Sequence, residues 1–226
     1  MKEKILIDTD IGDDIDDALA IAFALNSPEL DVVGITTVFR NTALRNKIAL
    51  RLLGIAGRLD IPIARGIGKP LLNKTAEPYI QNIGLEDIPC QYTDDMIHEK
   101  ENYHGGAVDF IVQKLKTSEE GLTIVPIGPL TNIAVVLIQY PEIKEKIQRI
   151  VLMGGAYSFH TTEYNILCDP EAARIVFESG VEILGVGLDV TLRCRLYEEH
   201  IRRIRECGSK LGSFLYNTIE LWGGHH

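Results

Sequence analysis

Apolar runs of strand length alternate with segments of helical periodicity along most of the chain. The short apolar runs predict strands at 5–7, 31–38, 61–64, 122–127, 149–153 and 181–188. The helical pattern predicts helices at 16–26, 43–57, 106–116, 131–139, 170–179 and 197–221, the last broken near Gly208 and Gly212. Strands that alternate with helices and are apolar on both faces indicate an α/β fold with a doubly wound, mostly parallel sheet.

Two regions interrupt this alternation. Residues 66–103 and 154–169 are rich in Gly, Pro, Asn and acidic residues and show little periodicity. Irregular connections of this length inside a compact domain are usually binding loops or lids. Each follows a predicted strand, so both are expected at the edge of the sheet where the strands end.

Length and composition favour a single domain over residues 1–226, because 46% of the residues are hydrophobic and no repeat or linker divides the chain. The formal net charge of −9 argues against a nucleic-acid partner. The first residues turn acidic after only three apolar positions, and no apolar run is long enough for a membrane helix. We therefore expect a cytoplasmic protein without a membrane partner.

Cysteine spacing excludes the common zinc motifs. The chain contains Cys90, Cys168, Cys194 and Cys207, with no C-x-x-C pair among them. Reduced thiols are therefore expected, and not a zinc site or a disulfide framework.

The most polar stretch directly follows the first predicted strand. Residues 8–17 contain six aspartates in ten positions. Neighbouring carboxylates repel one another by about 1 kcal/mol per pair even in water, so an attraction elsewhere should offset the repulsion. Open α/β sheets bind ligands where their strands end, and a bound cation would be the largest charge in such a site. The sequence therefore predicts a hard cation such as Ca²⁺, which takes oxygen ligands.

Within this stretch the aspartates divide into groups. Asp10 and the pair Asp16-Asp17 are the candidate cation ligands, because one ends a strand and the others begin a helix. Asp8 would orient the ligands from behind. Asp13 and Asp14 would shape and cap the turn. They also remain an alternative to Asp16-Asp17 as the ligand pair.

A second enzymatic interpretation uses the same residues. A strand followed by Asp8-x-Asp10 also opens phosphatases of the haloacid-dehalogenase type, in which the first aspartate is the nucleophile and the second an acid/base. That motif normally continues with Thr or Val where this chain has Gly12. It would also leave Asp16-Asp17 unexplained.

Three further segments carry polar candidates. The turn at 125–132 would free the carbonyl of Ile127 to point toward the aspartates. Glu163 and Asn165 precede a helix start at Asp169-Pro170 and suit hydrogen bonding to a polyhydroxy ligand. His104 precedes another helix and is a candidate proton donor or base-recognition group.

Together these segments resemble the inosine/uridine-type nucleoside hydrolases. The resemblance covers nearly the whole chain and rests on D-T-D-I-G-D-D-I-D-D-A (8–18), T-T-V-F-R-N (36–41), H-G-G (104–106), I-G-P-L-T-N-I-A (127–134), L-M-G-G-A (152–156), E-Y-N-I-L-C-D-P-E-A-A (163–173) and V-G-L-D-V-T (186–191). It implies a Ca²⁺-dependent N-glycosyl hydrolase of nucleoside catabolism and salvage. The implied fold is a Rossmann-like sheet, the implied substrate is a ribonucleoside, and the implied assembly is a homodimer or homotetramer.

The resemblance also implies a role for each matched residue. Asp10 would be a metal ligand and the general base, Asp17 a bidentate ligand, and the Ile127 carbonyl a third ligand. The substrate and catalytic contacts that it implies are Asp16, Asn41 and Asn165 on the ribose hydroxyls, Glu163 near the 5′ end of the sugar, and His104 as a further catalytic residue.

Two departures from the family pattern set further expectations. The aspartate signature has two more residues than the commonest form, which is why Asp13-Asp14 needs a separate explanation. Family members also extend further and carry a C-terminal His-Asp pair, whereas this chain ends at His225-His226 with no following Asp. A domain shortened at its C-terminus is therefore expected. A catalytically impaired protein that binds calcium or nucleoside is the corresponding alternative function.

Overall fold

A computed structural model of the protein describes residues 2–72 and 86–224. Its strands are β1 (Glu3–Thr9), β2 (Leu30–Thr37), β3 (Ile63–Arg65), β4 (Leu122–Pro126), β5 (Ile147–Met153) and β6 (Ile183–Val186). They form a single sheet in the order β3-β2-β1-β4-β5-β6, and every neighbouring pair is parallel. β2 and β3 thus follow β1 on one side of the sheet, and β4, β5 and β6 follow it on the other side.

The described helices are α1 (Asp16–Asn26), α2 (Thr42–Ala56), α3 (Ala107–Thr117), α4 (Thr131–Gln139), α5 (Tyr164–Cys168), α6 (Pro170–Phe177), α7 (Leu188–Thr191), α8 (Glu198–Glu206) and α9 (Lys210–Gly223). Two 3₁₀ helices cover Asp94–His98 and Pro141–Lys146. The predicted helices all form, and α1 and α4 have the predicted bounds.

Helices cover both faces of the sheet, as the fold class requires. Side chains alternate along a strand, so Leu6 of β1 points to one face and Ile5 and Ile7 point to the other. Leu6 packs with buried residues of α3, α4 and α6, whereas Ile5 and Ile7 pack with those of α1, α2 and α9. The prediction of a doubly wound parallel sheet is confirmed.

The structure corrects the C-terminal helix prediction at one of its two glycines. Gly208 ends α8 with a φ of +71°, a left-handed conformation that glycine adopts without strain. Gly212, predicted as a second break, instead lies inside α9. It has no room for a side chain because Cys207 Sγ and the Ile204 carbonyl lie against it. This glycine therefore permits close packing and does not interrupt the helix.

Short elements replace parts of the predicted strands and loops. The strand predicted at 181–188 is only β6, because Leu188 already begins α7. The region 154–169, predicted as irregular, contains α5. In the long region 66–103, the 3₁₀ helix at 94–98 forms, while 73–85 lies outside the described residues. None of the described helices has the length and apolar character needed to cross a membrane.

Candidate functional site

A cavity of about 420 Å³ opens where β1 and β4 end. These adjacent strands mark the point at which the strand order reverses, which is where doubly wound sheets bind their ligands. Asp10 follows β1 and Ile127 follows β4, so both reach the cavity from the ends of strands. The residues that line it are Asp10, Asp13, Asp14, Asp16, Asp17, Arg40, Cys90, Ile127, Tyr164 and Asn165.

Asp8 lies beneath the cavity and is fully buried. Its Oδ1 accepts hydrogen bonds from Thr36 Oγ1 of β2 at 2.5 Å and from Asn132 Nδ2 of α4 at 2.8 Å. Burial raises the pKa of Asp8 to about 7. Asp8 therefore joins β1 to β2 and α4 beneath the site. This position suits the supporting role that was predicted for it and does not suit a nucleophile.

Asp10 and Asp17 bring two carboxyl groups together in the cavity. Asp17 lies in the first turn of α1, where its Oδ1 accepts a hydrogen bond from the Thr9 hydroxyl. Burial raises the pKa of Asp10 to about 7, the charge of Arg45 opposes the rise, and the charge of Asp16 adds to it. Burial, followed by the charges of Asp10 and Asp16, raises the pKa of Asp17 well above its usual range. Each carboxylate is therefore destabilised by the others.

Ile127, which follows β4, lines the same cavity as these carboxyl groups. Ile127 N donates to the carbonyl of Asp8 at 2.8 Å, which keeps the end of β4 beside β1. Its own carbonyl accepts from Asn165 Nδ2 at 2.8 Å. A Cβ at Gly128 would lie 2.6 Å from Asp10 Oδ1, so only glycine allows the turn after β4 to approach Asp10 this closely.

These donors fit a divalent cation of the calcium type. Within residues 2–72 and 86–224, no three His, Cys, Asp or Glu side chains form a metal cluster by themselves. Asp10 and Asp17 would therefore need other oxygens, and the main-chain carbonyl of Ile127, a residue that lines the same cavity, is the candidate. Ca²⁺ prefers such mixed carboxylate and carbonyl sets, completed by water or substrate oxygens. Its charge would also offset the burial and the repulsion that raise both pKa values.

Asp13 and Asp14, the extra residues of the acidic turn, bind donors of the protein itself. Asp13 Oδ2 lies 2.7 Å from Arg45 Nη2 and 3.8 Å from Arg40 Nη1. Asp14 Oδ1 accepts a hydrogen bond from Trp222 Nε1 at 3.2 Å. Both line the cavity, but these contacts favour the turn-shaping role that was predicted for them.

Three predicted site residues lie outside the cavity lining. The Asn41 side chain caps α2 by accepting from Leu44 N at 3.2 Å. Glu163 is buried and caps α5, where its carboxylate accepts from three main-chain N–H groups. His104 is exposed and lies 3.9 Å from Glu101. Their substrate contacts stay predictions, whereas Asp16 and Asn165 are brought to the cavity.

Sequence reasoning missed three lining residues. Arg40 and Tyr164 are each adjacent in sequence to a predicted site residue, within segments that resemble the family motifs. Their sequence positions could therefore have identified them as candidates. Cys90 gave no signal, because it lies in a region without periodicity. Its thiol donates to the carbonyl of Asp13 at 3.0 Å, which fastens residues 86–103 to the acidic turn.

Known sequences resemble this chain over nearly its whole length. A family profile described as "Inosine-uridine preferring nucleoside hydrolase" matches residues 5–226. The chain is 38% identical to the probable uridine nucleosidase 2 of Arabidopsis thaliana, covering 100% of this chain and 71% of that protein. It is also 38% identical to the pyrimidine-specific ribonucleoside hydrolase RihA of Escherichia coli, covering 100% of this chain and 73% of that protein.

Comparison with solved structures extends the similarity to the fold. The plant nucleoside hydrolase PpNRh1 superposes with a TM-score of 0.84 at 33% identity, covering 100% of this chain and 72% of that one. A purine-preferring ribonucleoside hydrolase from Gardnerella vaginalis gives a TM-score of 0.80 at 34% identity, covering 97% of this chain and 72% of that one.

Proposed function

The chain belongs to the inosine-uridine preferring nucleoside hydrolase family, and we propose that it cleaves ribonucleosides into nucleobase and ribose with Ca²⁺ and with Asp10 as general base. The observation that carries the proposal is the convergence of Asp10, Asp17 and Ile127 at one cavity. Burial and mutual repulsion destabilise the carboxylates there, and a bound cation would stabilise them.

The role proposed for each group follows from its place at the cavity. The chemistry that calcium would supply is a lower pKa for a water molecule beside the sugar. Asp10 accepts the proton of the attacking water, because its carboxylate lies at the cavity and a positioned carboxylate can act as a general base. Asp16 faces the same cavity from the start of α1 and accepts hydrogen bonds from the ribose hydroxyls. The carboxylates also stabilise the positive charge that develops on the ribose.

Asn165 has a positioning role in this proposal. Its amide donates to the Ile127 carbonyl at 2.8 Å and to the Met153 carbonyl at 3.2 Å. It therefore fixes the orientation of a proposed metal-binding oxygen while it lines the sugar site. Glu163 supports this arrangement from below, because its carboxylate accepts from Asn165 N at 2.8 Å.

The proposal extends to assembly and location on the family resemblance alone. It includes a homodimer or homotetramer that acts in the cytoplasm on nucleosides from catabolism or salvage. Light scattering after size-exclusion chromatography measures the assembly directly, and a monomer at working concentrations would contradict that part.

Base release with and without calcium tests the central proposal. The substrate panel is uridine, cytidine, inosine and guanosine, since similar proteins are named for pyrimidine and for purine substrates. We expect base release with Ca²⁺, its loss on addition of a calcium chelator, and recovery when Ca²⁺ is restored. No turnover of any of the four with Ca²⁺ would contradict the proposed function, and turnover that survives chelation would contradict the metal requirement.

A further inference from the structure

Arg40 and Phe39 form a strained turn at the cavity. Their φ angles are +55° and +66°, a left-handed conformation that residues with a side chain rarely adopt. Main-chain hydrogen bonds hold the turn: Phe39 N donates to the Ile67 carbonyl at 2.9 Å and Arg40 N to the Gly68 carbonyl at 2.7 Å. Strain of this kind persists only where the surrounding structure enforces it, and it concentrates at functional sites. Here it brings the Arg40 side chain to the cavity.

The guanidinium of Arg40 is loosely bound within the protein. It donates to Tyr164 OH at 3.4 Å, lies 3.8 Å from Asp13 Oδ2 and 3.9 Å from Asp87 Oδ2, and stacks over the Phe39 ring with its carbon 5.4 Å from the ring centroid. Among the described residues, its buried Nε has no hydrogen-bond partner. Arg40 therefore retains donors that can bind a ligand.

Arg45, close by in α2, shows the opposite arrangement. It is fully buried, and it donates to the Phe39 carbonyl at 2.8 Å, to the Ile11 carbonyl at 2.9 Å and to Asp13 Oδ2 at 2.7 Å. Its donors are engaged in holding the acidic turn. The contrast identifies Arg40, and not Arg45, as the arginine available to a ligand.

The charges around Arg40 define which ligand it takes. It is the one cation among the described cavity-lining residues, which otherwise include five aspartates. Five carboxylates would repel a phosphate-bearing substrate, so a neutral nucleoside fits better. The bases of uridine, cytidine, inosine and guanosine present ring carbonyl oxygens, which accept hydrogen bonds from donors that ionised carboxylates cannot supply.

We infer that Arg40 donates a hydrogen bond to a ring carbonyl oxygen of the nucleobase and stabilises the negative charge that the base gains as it leaves. This inference rests on the proposed function. The C1′–N bond breaks and its electron pair passes to the base nitrogen, which is then protonated from solvent. The water oxygen bonds to C1′, and its proton passes to Asp10.

Two variants of Arg40 test this role against a structural one. Arg40→Gly removes the guanidinium and relieves the left-handed strain, whereas Arg40→Lys keeps a positive charge. Arg174→Ala, which removes an exposed arginine paired with Glu178, is the control. The substrates are uridine and 4-nitrophenyl riboside, whose leaving group lacks a ring carbonyl and departs as a stable phenolate.

We expect Arg40→Gly to lower kcat/KM for uridine on the order of 100-fold. The loss for 4-nitrophenyl riboside should stay below about threefold, and Arg40→Lys should lie between wild type and Arg40→Gly for uridine. The melting temperature of Arg40→Gly should rise by about 2–4 °C, because glycine adopts a positive φ without strain. Arg174→Ala should match wild type in both assays.

The contrary outcomes separate this inference from the proposed function. Equal losses for both substrates, or wild-type turnover of uridine by Arg40→Gly, would overturn the role of Arg40 alone. A loss of activity together with a fall in melting temperature would show a structural role and overturn it too. Absence of nucleoside turnover by the wild-type protein with Ca²⁺ would overturn the proposed function and this inference together.

Discussion

The two acidic pairs of the turn after β1, Asp13-Asp14 and Asp16-Asp17, are separated by the single residue Ile15 and differ in the groups that contact them. Asp13 is paired with Arg45 at 2.7 Å, and Asp14 accepts from Trp222 at 3.2 Å. Among the described residues, Asp16 accepts from the main-chain N–H of Asp17 at 3.1 Å, and Asp17 accepts from the hydroxyl of Thr9. In that part of the chain, an arginine and an indole contact the first pair directly, whereas the second pair accepts from main-chain N–H groups and a hydroxyl.

The difference shows how a protein can concentrate like charge without losing its fold. Donors of the protein compensate Asp13 and Asp14, so this pair can shape the turn. Burial and the charges of Asp10 and Asp16 raise the pKa of Asp17 well above its usual range, and the Thr9 hydroxyl and the charge of Arg45 offset only part of that rise. Like charge that the protein compensates only in part, at the end of a strand, is the arrangement that a cation would stabilise.

The largest expected effect follows from Asp10→Ala, which removes the proposed base and a proposed metal ligand together. We expect kcat/KM for nucleosides to fall by at least about 1000-fold, because a positioned general base contributes on that scale. Base release and calcium calorimetry measure the two losses. Asp60→Asn, on the surface beside Arg58, is the control. Normal turnover by Asp10→Ala would rule out the assignment of the base.

Arg45→Met should destabilise the turn that the first acidic pair shapes. The variant leaves the carbonyls of Phe39 and Ile11 without their donor and Asp13 without its closest cation. We expect the free energy of unfolding to fall by about 3 kcal/mol in urea titrations. Wild-type stability in this variant would show that the acidic turn holds its shape without Arg45.

Asp17→Asn should change stability in opposite directions with and without calcium. In a chelator, removing one of the mutually repelling carboxylates should raise the free energy of unfolding by about 1 kcal/mol. With Ca²⁺ the variant should be less stable than wild type, because it gains less from metal binding. Thermal unfolding in both conditions provides the measurement, and the same sign in both would contradict a cation site at Asp17.

Asp14→Asn should have the smallest effect. Asp14 is exposed, and its amide replacement still offers Trp222 an acceptor. We expect the free energy of unfolding to stay within about 0.5 kcal/mol of wild type. Because Trp222 is the single tryptophan, its fluorescence reports on this contact during unfolding. A larger change would mean that the first pair does more than shape the turn.

Much of the fold could be predicted because periodicity is local. The apolar runs located all six strands, and the 3.6-residue pattern located α1 and α4 to the residue. The predictions failed where tertiary packing determines the local structure. Gly212 continues α9 because neighbouring atoms lie against it, and α5 forms where a buried glutamate caps its first turn. Neither cause is visible in composition or spacing.

Site residues that directly follow strands could be predicted from the sequence, whereas some residues brought to the site by loops were missed. Asp10 and Ile127 follow strands that became neighbours, so the topology brought them together as expected. Arg40 was missed because its approach depends on two positive φ angles, which the residues themselves do not favour. Cys90 was missed because tertiary contacts, and not a pattern, fasten its loop to the acidic turn.

Calcium binding to Asp17→Asn and Asp13→Asn, measured by calorimetry against the wild-type chain, tests the central claim most directly. The variants are matched, since each replaces one carboxylate of the same turn with an amide. We expect Asp13→Asn to bind Ca²⁺ within about tenfold of wild type, or ~1.4 kcal/mol, and Asp17→Asn to lose at least about 100-fold in affinity. The reverse order would contradict the account and identify Asp13-Asp14 as the metal pair.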